Sequence, residues 1–176
     1  MSMTTETAET AVNTANTANT ANTANTVNAE GAARPESAPA AGSHALGVRL
    51  FEQWTAMWNG ELALTERIVT PGFRISFAND ADGARAAASD DLRGPRELAG
   101  FVAAHRESIP GVRYHLSGTP AVDAAGGQIA GRWTVTFPDA SGNQVSKSGI
   151  DILAVEDGRI AEVWSVTGHR VFASAG

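Results

Sequence analysis

The stretch from Gly149 to Val166, GIDILAVEDGRIAEVWSV, constrains the chain more than any other. Ile150, Ile152, Leu153 and Val155 precede Glu156-Asp157-Gly158, and Ile160, Val163, Trp164 and Val166 follow it. Branched and aromatic side chains fit a pleated surface. A glycine within a short acidic break supplies the positive φ that a tight reversal needs. The stretch therefore predicts a β-hairpin.

Asp151 departs from this pattern, because aspartate is depleted in strands and rarely buried without a partner. It must face solvent, be paired, or face a cavity that uses it. A two-residue turn at Asp157-Gly158 sets Asp151 opposite Trp164. A three-residue loop at Glu156-Asp157-Gly158, with Gly158 left-handed in a bulge, sets it opposite Val163 and sets Ser165 opposite Gly149. The second register is adopted here. It gathers Gly149, Asp151, Leu153, Ala161, Val163 and Ser165 on one small-sided, mostly apolar face, as a pocket wall requires. Ile150, Ile152 and Trp164 fall on the other face, which suits packing or an interface.

With no cysteine among its 176 residues, the chain is neither a disulfide scaffold nor a thiolate metal site. A formal charge of −6 and the lack of a basic run argue against nucleic-acid binding. Lys147 is the only lysine; the other cations are arginines. No apolar stretch approaches the roughly 20 residues of a membrane span. The N-terminus lacks a basic region followed by an apolar core, so a soluble cytoplasmic protein is expected.

Residues 1–42 read as a disordered low-complexity extension. Asn-Thr-Ala repeats from Asn13 and ends as Asn-Thr-Val at Val27, with no large side chain to offset the entropy of ordering. One domain is expected over 43–176. Leu46, Leu50, Trp54, Met57 and Trp58 recur at helical spacing from about His44 to Asn59, where Asn59-Gly60 stops the helix. A shorter helix follows from Glu61 to Val69, then a strand alternating at Phe73, Ile75 and Phe77. Asn79 to Arg93 reads as a polar loop. Gly94-Pro95 opens a third helix with a stripe of Leu98, Phe101, Val102, His105 and Ile109. Val112–Val122, Gln128–Phe137 and the hairpin complete a run of strands. Three helices gathered on one face of such a run make an α+β layout, and strong curvature of the sheet would leave an open-ended cone.

The order of elements resembles the nuclear transport factor 2-like superfamily. So do Trp58-Asn59-Gly60, Gly94-Pro95 and GIDILAVEDGRIAEVW. Within that superfamily the chain is most similar to the SnoaL-like polyketide cyclase group. The resemblance covers roughly His44 to Arg170 and implies a cystatin-like α+β barrel with a curved mixed sheet whose concave side three helices cover. Such cyclases carry a histidine where this chain has Asp151 and a base where it has Ser165. The resemblance to ketosteroid isomerases is different: their strand has an acid followed by two aliphatics at the Asp151 position, donating a hydrogen bond to a developing oxyanion. Their tyrosine falls near Gln53 or Trp54, and their base between Phe77 and Asp80. The Arg-x-Asp of limonene-type epoxide hydrolases is not matched, since Arg132 is followed by Trp133 and Thr134.

The resemblance implies a cofactor-independent cyclase or isomerase acting on a hydrophobic carbonyl or polyketide-type molecule, of the kind used in antibiotic biosynthesis. The alternative is a non-catalytic binding module of the same fold. Asp151 is the candidate acid or oxyanion donor, with Asp80 as another acid–base candidate. An Arg132–Asp151 pair between adjacent strands is the structural alternative. His105, on the apolar stripe of its helix, is the second acid–base candidate, or a buried core histidine. Trp54, Trp58, Phe73, Phe77, Phe101, Tyr114 and Trp133, with Val163 and Ser165, are the candidate pocket lining. The histidines are scattered and no phosphate cradle precedes a helix, so neither metal nor cofactor is expected. A homodimer through Ile150, Ile152 and Trp164 is expected.

Overall fold

The computed structural model describes residues 41–78 and 89–172. The N-terminal repeat, Asp80 and most of the loop read at Asn79–Arg93 lie outside them. Where that loop is described it is partly interior: Ser89 and Leu92 are buried.

Helix α1 (Ala41–Trp58) buries Leu50, Phe51, Trp54, Met57 and Trp58, while Leu46 at its start is exposed. Gly60 ends the helix at φ +111°, a conformation that costs glycine nothing. The helix expected from Glu61 resolves into a 3-10 turn (Leu62–Leu64) and a short α2 (Thr65–Ile68). Strand β1 (Val69–Phe77) begins four residues before Phe73 and is irregular around Pro71-Gly72. It is an edge strand, where proline's missing donor is tolerated. Helix α3 (Gly94–Ser108) starts where the Glu97 carboxylate reaches back to its N-cap, Arg93 N donating to Glu97 Oε2 at 2.7 Å.

Strands β2 (Arg113–Leu116) and β3 (Ala121–Asp123) replace the single strand expected over Val112–Val122. The chain breaks between them where Gly118 takes φ +84°. Both pair antiparallel with β4 (Gln128–Pro138). Strands β5 (Gln144–Glu156) and β6 (Arg159–Thr167) form the hairpin. The sheet order is β1-β6-β5-β4-β2, with β3 also on β4, and only β1 and β6 run parallel. The hairpin thus sits at the centre of an α+β sheet.

Its register differs from both expectations. Asp157 and Gly158 both take positive φ and form a two-residue turn between Glu156 and Arg159. Ala161 is then an extra residue, because Val155 pairs with Ile160 and Ala154 with Glu162. Asp151 therefore lies opposite Ser165 rather than Val163 or Trp164. The bulge moves the pairing by two residues from the three-residue-loop reading. Side chains alternate with period two, so the face assignment is unchanged except at Ala161: as the bulged residue it leaves the inner face to Ile160 and lines a depression with Ala154 and Glu162. Gly149, Asp151, Leu153, Val163 and Ser165 are buried on the inner face, and Ile150, Ile152, Trp164 and Val166 are exposed on the outer one.

Two inner-face glycines let aromatic rings lie against the sheet. A Cβ on Gly131 would stand 2.3 Å from a Phe51 ring carbon, and one on Gly149 would stand 2.1 Å from Trp133 Cζ2. Gly149→Ala is expected to lower the unfolding free energy by about 1–3 kcal/mol, the range for overpacking a filled core. Urea denaturation measures it, and an unchanged midpoint would mean that the Trp133 ring moves aside without cost.

Candidate functional site

Asp151 is turned inward and is 5% exposed. Trp54 Nε1 of α1 donates to Oδ2 and Trp133 Nε1 of β4 donates to Oδ1, each at 2.8 Å, and the Ser165 hydroxyl of β6 is a third partner. One carboxyl therefore ties three elements to β5. Burial pushes this carboxyl above its ordinary value, and the donors from Trp54, Ser165 and Trp133 pull it partly back. Arg132, the partner in the structural alternative, is on the other face: it pairs with Ile150 and is exposed, while Gly131 lies opposite Asp151. The strand alternation that buries Trp133 points its neighbour outward.

Trp58 is the hub of an aromatic cluster. Its ring lies 5.9 Å from Trp54, 6.4 Å from Phe77, 6.3 Å from Phe101, 5.6 Å from His105 and 5.4 Å from Tyr114. Phe77 and Phe101 stack at 5.8 Å, and Tyr114 meets Trp133 edge-on at 5.7 Å. Trp54, Phe73 and Val163 are closed core, whereas Phe77, Phe101, His105 and Tyr114 are half-buried and form the accessible wall. The candidate lining thus divides between core and wall. The hydrogen bond of His105 Nε2 goes to Tyr114 Oη at 2.8 Å, and the link to Asp151 runs through the rings of Tyr114 and Trp133.

Asn59, read from sequence only as a helix stop, holds this pair in place. Its Nδ2 donates to Tyr114 O at 2.8 Å and its Oδ1 accepts from Tyr114 N at 2.9 Å. The side chain thereby completes the open edge of β2 as another strand would. Arg106 Nη1 donates to Trp58 O at 2.9 Å, tying α3 to the end of α1. The hydroxyl and imidazole therefore project from two elements already fixed to each other, as a preorganised polar pair on an apolar wall requires. His115, His44 and His169 are exposed. A separate depression lined by Thr70, Gly72, Arg74, Ala154, Glu156, Ala161 and Glu162 lies near the hairpin turn. There Arg74 and Glu162 are paired at 3.2 Å. Among the described residues, no group of three His, Cys, Asp or Glu could hold a metal ion, and no helix is long and apolar enough to cross a membrane.

A family model, the SnoaL-like domain, matches residues 48–163. The chain belongs to the SnoaL-like domain family. Solved structures share the fold at low identity. A protein from Agrobacterium tumefaciens, named as an isomerase of the SnoaL-like family, is 21% identical with a TM-score of 0.54, over 70% of this chain and 98% of that one. IdmH of Streptomyces antibioticus, named as a polyketide cyclase, is 15% identical with a TM-score of 0.57, over 69% and 91%. AclR of Streptomyces galilaeus, named as a hydroxylase, is 17% identical with a TM-score of 0.54, over 72% and 78%. No curated protein matches the chain. Because these relatives carry different activity names, the reaction of this SnoaL-like domain must be argued from its own side chains.

Proposed function

We propose that this SnoaL-like domain is a cofactor-independent cyclase or isomerase of a hydrophobic carbonyl compound bound against the half-buried aromatic wall. The observation that carries the reading is the His105–Tyr114 hydrogen bond, set among Trp58, Phe77 and Phe101. Ring closure by aldol addition and double-bond migration share one step. An α-C–H bond breaks, its proton passes to water, and negative charge grows on the carbonyl oxygen. With the proton on Nε2, His105 donates to Tyr114 Oη, and the phenol is the group assigned to that carbonyl oxygen. A fixed donor in a water-poor site stabilises this charge far more than one in water. Asp151 acts from behind: its oxygens hold the indoles of Trp54 and Trp133, so it is a positioning residue.

The shared step can be tested without the natural substrate. 2-Tetralone in heavy water should exchange its α protons faster with the protein than with buffer, followed by NMR. Binding of 2-tetralone without faster exchange would favour a non-catalytic binding module, a reading supported by the presence of Ser165 where related cyclases have a base.

The same reading makes the protein a homodimer through the outer sheet face. Ile150 pairs with Val166 and Ile152 with Trp164 across the hairpin, and all four side chains are 37–49% exposed. A contiguous apolar strip of this kind marks an interface. Sedimentation at micromolar concentration should give a dimer, and Trp164→Glu a monomer. A monomeric wild type would remove the interface.

A further inference from the structure

Lys147 lies on the inner face of β5, in phase with Gly149, Asp151 and Leu153. It pairs with Val135, which pairs in turn with Tyr114. One row of the inner face therefore reads Lys147, Val135, Tyr114. Two strand spacings, about 10 Å, separate its ends. The ammonium stands 5.8 Å from the centre of the Phe137 ring, a contact that replaces only part of a cation's hydration.

The other cations are accounted for differently. Among the described residues every arginine is exposed except Arg106, whose guanidinium donates to the carbonyls of Trp58 and Val112. Lys147 is half-buried, and among the described residues no carboxylate lies within ion-pair distance of it. Asp151, the acid on the same face, accepts indole N–H groups at both oxygens. A partly desolvated ammonium without a counter-ion favours an anion from outside.

We propose that Lys147 is an anion-binding residue of the aromatic basin and that the ligand is a hydrophobic carboxylate or enolate. The anionic oxygen meets Lys147 while a carbonyl some two strands away meets Tyr114. The idea rests on the reading of the basin as a ligand site, and it adds the charge of the ligand. Bulk electrostatics work against it, since the chain carries −6, so a preference for an anion must come from a local cation.

Isothermal titration calorimetry with 2-naphthoate and 2-naphthamide, which differ in charge and little in shape, tests it. The wild type should bind 2-naphthoate about tenfold tighter, a difference of about 1.4 kcal/mol. Lys147→Met should abolish that preference and leave 2-naphthamide affinity within about twofold, and Lys147→Arg should restore it. Equal or weaker binding of 2-naphthoate by the wild type, or a preference that survives in Lys147→Met, overturns the assignment while leaving the basin standing. Failure of both probes to bind overturns the lysine assignment and the basin together.

Discussion

Asp151→Ala is expected to cost about 2–6 kcal/mol of unfolding free energy, twice the range for leaving one buried donor unsatisfied. The loss has two sources. The buried N–H groups of Trp54 and Trp133 lose the acceptor they have among the described residues, and Ser165 loses a partner. Each buried donor left unsatisfied costs about 1–3 kcal/mol. Asp151→Asn keeps one acceptor oxygen but turns an NH2 toward an indole N–H, so it should lose about 1–3 kcal/mol. Urea denaturation followed by circular dichroism reads both variants. A residue whose sole task is proton transfer would leave the asparagine variant as stable as the wild type, and that result would end the positioning role.

Acid adds a second measurement on the same pair of proteins. Burial raises the Asp151 carboxyl in the folded state above its unfolded value, so the folded protein holds more protons between those two values. The stability owed to this group is then fully present below the unfolded value and is lost as pH rises through the folded one. Asparagine does not titrate. The stability gap between wild type and Asp151→Asn should therefore be wider near pH 4 than at pH 7. A gap that widens toward pH 7 would mean that the three donors outweigh desolvation and hold the group as a carboxylate.

The faces of the hairpin were legible because side-chain alternation survives a shift of two residues; the register was not. Nothing in GRIAEV marks Ala161 as the bulged residue, since alanine fits a paired or an unpaired position equally. That Asp151 is buried follows from an acid set among aliphatics. Its partners do not follow, because they lie 97 and 18 residues away and belong to tryptophans. In a sequence a tryptophan reads as apolar bulk, and its single N–H carries no periodicity. The proposed Arg132 partner failed on evidence that was present: Ile129, Gly131, Trp133 and Val135 already claimed the inner face, so Arg132 had to point out. Asn59 shows the opposite limit. Its local role as a helix terminator was visible, but its clamp on Tyr114 spans 55 residues and needs the edge of β2 to exist first.

His105→Ala and Tyr114→Phe should each lower the rate of 2-tetralone exchange by about 10²-fold, near the effect of removing one oxyanion donor or one general acid. Binding of 2-tetralone should change by no more than about threefold, because the aromatic wall supplies most of the contact. In this reaction the two residues act as a unit. In the proposed mechanism His105 Nε2, 2.8 Å from Tyr114 Oη, polarises the phenol toward the ligand carbonyl. Removing either leaves the other without its function, so the double variant should be no slower than the worse single one, a large departure from additivity. A purely structural contact between α3 and β2 predicts something else. Tyr114→Phe keeps the ring against Trp58 and Trp133, so exchange would persist and only about 1 kcal/mol of stability would be lost with the hydrogen bond. Independent, multiplying effects on rate would likewise separate the two side chains and leave the wall without a chemical group of its own.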